Sequence, residues 1–155
     1  DEYNLMKSLC HKSIISAEAF FRDRSGACLC MELCSGGSVG DYVDAQGAFS
    51  ESRARSLSLQ LLSGVDYLHC QRVVHRDIKP PNLLLLPGAE RIKISDFGSA
   101  QRVGRDAGGA MLSDRGTKAF SAPEMWFGHL WNERVDIWAA GLCAFFMLHA
   151  YLPFR

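Results

Sequence analysis

Apolar and polar positions along this chain follow two rhythms, one helical and one alternating. Leu5, Met6 and Leu9 recur at helical spacing, so residues 1–10 are expected to close an amphipathic helix. Ile14 to Phe21 and Ala27 to Leu33 are apolar runs on either side of Arg22-Asp23-Arg24-Ser25-Gly26, a pattern that predicts two strands and a hairpin turn. Ser35-Gly36-Gly37-Ser38 is a break, and a short helix is expected over 39–45. Ser50 suits the N-cap of a longer helix, in which Ala54, Leu57, Leu61, Val65 and Leu68 step along one face to about His69. Val73-Val74 and Leu83 to Leu86 are short apolar runs. Pro87-Gly88-Ala89-Glu90 turns the chain, and Arg91-Ile92-Lys93-Ile94-Ser95 alternates like a strand. Residues 99–119 are glycine-rich and poor in large apolar groups, which predicts a mobile loop. Val135 to Leu148 is apolar on every side and predicts a fully buried helix. The fold class expected is α+β, mainly α.

Composition narrows the reading. The chain has 155 residues, 48% of them hydrophobic and 22% charged, which suits one globular domain with a real core. Its formal net charge is zero, so neither nucleic acid nor an anionic membrane is expected as the main partner. The longest apolar run, Ile137 to Leu148, is twelve residues, whereas a membrane helix needs about 20. The six cysteines form no CxxC pair and suggest free thiols in a reducing, cytoplasmic compartment, with the nucleus also compatible. Asp1-Glu2-Tyr3 does not resemble a signal peptide, and both ends read as internal to a longer protein.

One stretch does not fit a purely structural role. In Val73 to Leu84, "VVHRDIKPPNLL", five polar side chains (His75, Arg76, Asp77, Lys79 and Asn82) stand between two apolar pairs. The order strand, loop, strand, turn, strand folds that loop back beside the end of 91–95, which runs into Asp96-Phe97-Gly98. Asp77, Lys79, Asn82 and Asp96 are then expected to face one cleft. Such a set offers a carboxylate to take a proton, an ammonium to hold a phosphate, and hard oxygen ligands that suit Mg²⁺. Phosphoryl transfer needs those groups and little covalent work by the protein.

The motifs resemble those of eukaryotic protein kinases. His75-Arg76-Asp77-Ile78-Lys79-Pro80-Pro81-Asn82 is similar to their catalytic loop, Asp96-Phe97-Gly98 to their metal-binding triplet, and Ala122-Pro123-Glu124 to the end of their activation segment. The spacing, with Asp96 fourteen residues after Asn82 and Gly116-Thr117 ahead of the last triplet, makes the match specific. The resemblance implies ATP and Mg²⁺ as cofactors and a partial kinase fold. Residues 1–33 would be a remnant of the N-lobe (helix end plus hairpin), and 34–155 the hinge and an incomplete helical C-lobe. It implies that Asp77 orients the substrate hydroxyl and accepts its proton, that Lys79 contacts the transferred phosphate, and that Asn82 and Asp96 hold the metal. Met31 resembles the gatekeeper, Glu32 and Cys34 the hinge positions whose backbone binds adenine, and Leu84 the floor beneath the ring. His75, Phe97 and Met6 resemble members of a stacked apolar column. Glu2 resembles the helix glutamate that pairs with an ATP-anchoring lysine, and Asp136 the buried aspartate that braces the catalytic loop.

Lys79 two residues after Asp77 implies the Ser/Thr class, with protein substrates, another kinase among the candidates. Within that class the chain most resembles the calcium/calmodulin-dependent kinase kinases and related groups, with calmodulin expected only through segments outside this chain. The Thr117 hydroxyl is expected to bond Asp77 and Lys79. Phosphorylation of Ser113 is expected to order the loop through Arg76. Ser38 and Pro81 stand where kinases favouring basic peptides often carry Glu, which argues against a strong requirement for upstream arginine. No Gly-rich loop or V-A-I-K lysine is present, and Glu124 is expected to lack its arginine partner. The 155 residues alone are therefore expected to be inactive or nearly so. The competing readings are a non-catalytic kinase-like binding module and a small-molecule phosphotransferase of the aminoglycoside-kinase type.

Overall fold

A computed structural model describes residues 2–24, 26–103, 118–126 and 132–154. Helix α1 (Glu2–Lys7) leads into an antiparallel hairpin of β1 (Ala17–Arg22) and β2 (Ala27–Met31). The turn closes because Asp23 N donates to Gly26 O at 3.0 Å and its carboxylate accepts Gly26 N at 3.1 Å. Helix α2 (Val39–Gln46) starts with a capping box. Ser38 Oγ accepts the Asp41 amide at 3.0 Å, and the Asp41 carboxylate accepts the Ser38 amide at 2.9 Å. The long helix α3 (Glu51–Cys70) follows, then the short strands β3 (Val73–Val74), β4 (Leu83–Leu85), β5 (Ile92–Ile94) and β6 (Gln101–Arg102). Helices α4 (Pro123–Trp126) and α5 (Arg134–His149) end the described chain. Among the described residues, five α-helices and three two-stranded ladders (β1–β2, β3–β6, β4–β5) make an α+β fold that is mainly α.

The core forms where three apolar faces meet. The predicted stripe of α3 is fully buried, with Leu57, Leu61, Val65 and Leu68 all excluded from solvent. Against it lie Ile92 and Ile94 of β5 and Ala139, Ala140, Cys143 and Met147 of α5. Met6, Ile14 and Ile15 join the same cluster, so the first 33 residues share a core with the helical part. Gly36 is needed at a close approach: a methyl group there would lie 2.6 Å from the Leu85 carbonyl oxygen.

Five expectations change. The first strand begins at Ala17, because Ser13 and Ile15 bond Ile94 of β5 instead (Ile94 N to Ser13 O 2.8 Å, Ile15 N to Ile94 O 3.0 Å). The second strand stops at Met31, and Leu33 is exposed. Ser50 occupies the cap position of α3 but makes no side-chain capping bond; its hydroxyl lies 3.3 Å from that of Ser52. Within the expected loop over 99–119, Gln101 and Arg102 form a strand against β3, and residues 104–117 lie outside the described set. Helix α5 is buried on one face only: Ile137 is 47% and Trp138 37% exposed, because α3 covers only the face carrying Ala139, Ala140, Cys143 and Met147. An all-round apolar composition predicts burial on every side only if every side has a packing partner.

Candidate functional site

The polar loop is held from below by one carboxylate. Asp136, in the first turn of α5, is 1% exposed. Its Oδ2 accepts the His75 amide at 2.8 Å and lies 2.9 Å from His69 Nε2. Its Oδ1 accepts the Arg76 amide at 2.8 Å. These bonds satisfy a charge whose burial is otherwise prohibitive. They also hold Arg76 at φ 67°, a left-handed conformation that non-glycine residues rarely adopt. The Arg76 guanidinium Nε in turn donates to the Ser99 carbonyl at 2.6 Å, tying the loop to the chain just past Gly98.

His75 fixes the other side. Its ring is fully buried and meets Phe97 edge-on, with centroids 4.9 Å apart. Nε2 lies 3.0 Å from the Ser95 carbonyl and Nδ1 lies 3.3 Å from the Asp77 amide. A carbonyl only accepts and an amide only donates, so Nε2 carries the hydrogen and Nδ1 the lone pair. Acceptance at Nδ1 requires the neutral imidazole. Burial lowers the His75 pKa from the ordinary histidine value, outweighing the opposing pull of Asp136, the Ser95 carbonyl, Asp77 and Asp96.

Three of the expected site residues converge. Lys79 Nζ lies 2.8 Å from Asp77 Oδ2. Asn82 Nδ2 donates to the Asp77 carbonyl at 2.9 Å and to Asp77 Oδ2 at 3.2 Å. A 3₁₀ turn over Pro80–Asn82 makes this reach short. The fourth residue is brought in by strand pairing. In the β4–β5 ladder Leu83 faces Ile94, and Ser95 donates to the Asn82 carbonyl through both its amide and its hydroxyl at 2.9 Å. Asp96 follows directly, at φ 62°, its carboxylate accepting the Gly98 amide at 3.4 Å. The nitrogen of the Asn82 amide is occupied by Asp77, so its oxygen is the atom available to a cation. The Asp96 carboxylate is a second hard oxygen donor, and both are of the type that Mg²⁺ takes.

Of the remaining expected residues, Met31 ends β2, Glu32 and Cys34 follow it, and Leu84 lies in β4, bridged to Ser38. Met31 is exposed, and Cys34 and Leu84 are half-buried. The Glu32 amide donates to the Ser16 carbonyl at 3.0 Å, so among the described residues its carbonyl is the backbone group left to a ligand. Glu2 stands beside Gly98, and Met6 is buried in the same core as Phe97. Among the described residues Glu124 has no ion pair. Ser113, Gly116 and Thr117 lie outside the described residues.

Sequence reasoning missed one group. Strict alternation over 91–95 puts Lys93 on a polar face, yet it is 7% exposed and its Nζ lies 2.6 Å from Glu32 Oε1. Burial disfavours the Glu32 carboxylate, but Lys93 and the Ser16 amide outweigh it and hold its pKa below the usual glutamate value. The signal in the sequence was a lysine between two isoleucines in a strand too short to have a solvent face. The contact between His69 and Asp136 was also unforeseen.

The protein kinase domain family model matches residues 1–155. A probable myosin light chain kinase of Dictyostelium discoideum is 36% identical over 155 residues, covering 99% of this chain and 44% of that protein. A calcium/calmodulin-dependent protein kinase type 1 of Macrobrachium nipponense is 36% identical, with the same coverage of both chains. A serine/threonine-protein kinase of Arabidopsis thaliana is 36% identical over 99% of this chain and 32% of its own length. The chain thus spans less than half the length of these relatives.

Proposed function

We propose that this chain, which belongs to the protein kinase family, carries the catalytic loop of an enzyme that transfers phosphate from ATP to Ser or Thr hydroxyls of proteins. The observation that carries the reading is the hydrogen-bonded set of Asp77, Lys79 and Asn82, braced by Asp136 and set beside Asp96. Residues 1–33 then serve as the N-lobe part and 34–155 as the hinge and C-lobe part of a larger catalytic unit. Met31, Glu32, Cys34 and Leu84 bind the adenine end.

Each residue has one task. Asp77 orients the acceptor hydroxyl and takes its proton as the oxygen forms the new bond to phosphorus and the bond to the ADP oxygen breaks. Lys79, already 2.8 Å from Asp77, places positive charge where the phosphate crosses. Asn82 and Asp96 hold Mg²⁺, which when bound neutralises charge on the phosphate oxygens. His75 and Asp136 act indirectly, keeping the loop backbone in its left-handed turn at Arg76. The calcium/calmodulin dependence in the name of one relative is that protein's; for this chain the Ser/Thr protein substrate class is the extent of the proposal.

The test is phosphate transfer by the complete protein from labelled ATP to a mixed Ser/Thr/Tyr peptide library with Mg²⁺. Asp77→Asn should lower kcat by about 10² to 10⁴-fold while leaving Mg-ADP binding in place. Label found only on tyrosine, or an Asp77→Asn variant with full activity, would refute the reading.

A further inference from the structure

We propose that Lys93 is a positioning residue for nucleotide binding: it locks the adenine-contact segment at Glu32 onto the strand that delivers Asp96. This rests on the kinase reading above.

The geometry is a single ammonium joining three segments. Lys93 Nζ lies 2.6 Å from Glu32 Oε1 and 3.3 Å from the Ile14 carbonyl. Glu32 Oε1 also accepts the Ser16 amide at 2.7 Å, and the Glu32 amide donates back to Ser16. Residues 14–16, Glu32 and β5 therefore move together. In the β4–β5 ladder Lys93 pairs with Leu84, so the two side chains share a face of the hairpin. Leu84 is the proposed floor of the adenine site, which puts the ion pair at the base of that floor. Asp96 is three residues further along the same strand and its exit.

Energetics argue that the pair is there for geometry. A buried ion pair gains little net stability over apolar residues of similar volume. Its cross-strand neighbour Leu84, on the same face, shows that this face accepts an apolar side chain. What an apolar residue cannot do is grip a carboxylate on the β2–α2 segment. The pair fixes where adenine is held relative to where the metal is held, and a nucleotide must satisfy both ends at once.

Four variants of the complete protein test this: Lys93→Met, Lys93→Arg, Glu32→Gln and the double variant Glu32→Gln/Lys93→Met. Amide hydrogen exchange, denaturant midpoint, Kd for Mg-ADP by calorimetry, and KM and kcat for ATP are measured on each. Lys93→Met should speed exchange in 14–17 and 31–34. It should raise Kd and KM about tenfold, close to the loss of one such contact, while kcat stays within about twofold. Lys93→Arg should recover most of the affinity. The double variant removes the uncompensated charge, so its stability should return towards wild type while KM stays high. A double variant that restores both stability and KM would make the pair merely structural and overturn the proposal, as would a Lys93→Met protein of unchanged Kd. If the wild type binds Mg-ADP but transfers no phosphate, the kinase reading fails, and Kd and exchange still decide the role of Lys93. A wild type that binds no nucleotide overturns both.

Discussion

Replacing Asp136 with Asn tests the support of the loop most directly, because it keeps shape and removes charge. The carboxylate accepts the His75 and Arg76 amides at 2.8 Å and faces His69 Nε2 at 2.9 Å. An Asn has one oxygen. With that oxygen at Oδ2 it keeps His75 and His69 but turns its own NH₂ against the Arg76 amide. With the oxygen at Oδ1 it keeps Arg76, loses the His75 amide, and keeps His69 only where that ring switches tautomer and accepts from the new NH₂. The milder outcome loses one charge-assisted bond, about 1.5–3 kcal/mol, and leaves a buried donor unsatisfied at about 1–3 kcal/mol more. Partial relaxation at the site brings the expected cost to about 3 kcal/mol, a large share of the about 5–15 kcal/mol that holds a domain folded. Arg76 then has less reason to stay at φ 67°, and its relaxation moves Asp77. The assay is urea unfolding of the complete protein with amide exchange read at His75 and Arg76, together with kcat. The midpoint should fall with an unchanged m-value, exchange at Arg76 should rise, and kcat should fall with stability restored by lower temperature. A loss below about 1 kcal/mol with both amides still protected would refute the account of Asp136 as the brace.

Two further outcomes follow from the site. Burial holds His75 below the ordinary histidine pKa and, with help from Lys12 and Lys93, does the same to His11. The unfolded chain therefore takes up protons at about pH 6.5 that the native chain refuses. Their contribution to stability is complete above that pH and is lost as the pH falls below it towards the native values. Thermal melts of wild type and His11→Gln between pH 7.5 and 5.5 should both show the midpoint falling with pH; a flat or rising profile in His11→Gln would contradict the neutral assignment of His75. Gly36→Ala places a methyl group 2.6 Å from the Leu85 oxygen and 2.7 Å from that of Leu86. The backbone must move, which should cost about 1–3 kcal/mol and break the 2.9 Å bond from Gly36 N to Leu85 O. Denaturant unfolding checks this, and an unchanged midpoint would mean that the segment before α2 is free to shift.

Much of this protein was legible in local pattern. The α3 stripe, the β1–β2 hairpin and the helix after the break at 35–38 follow from apolar spacing and turn residues, which act within a few residues, whereas capping misled at Ser50 and went unread at Ser38. The motif around Asp77 was equally readable, since a lysine and an asparagine two and five residues after an aspartate reach its carboxylate from one short turn. Three features were settled only by long-range packing. Lys93 looked solvent-facing because alternation describes a strand with one wet side, and β5 has none. Helix α5 looked buried all round because composition cannot say which faces will find a neighbour. The left-handed turn at Arg76 exists because Asp136, 60 residues later, holds its amide. The sequence by itself determined which residues could do chemistry and which local elements would form, because those depend on side-chain type and neighbours one turn away. The tertiary structure decided which charges are buried and paired, and so how the loop and the segment around Glu32 are held, because burial and pairing are properties of contacts between distant parts of the chain.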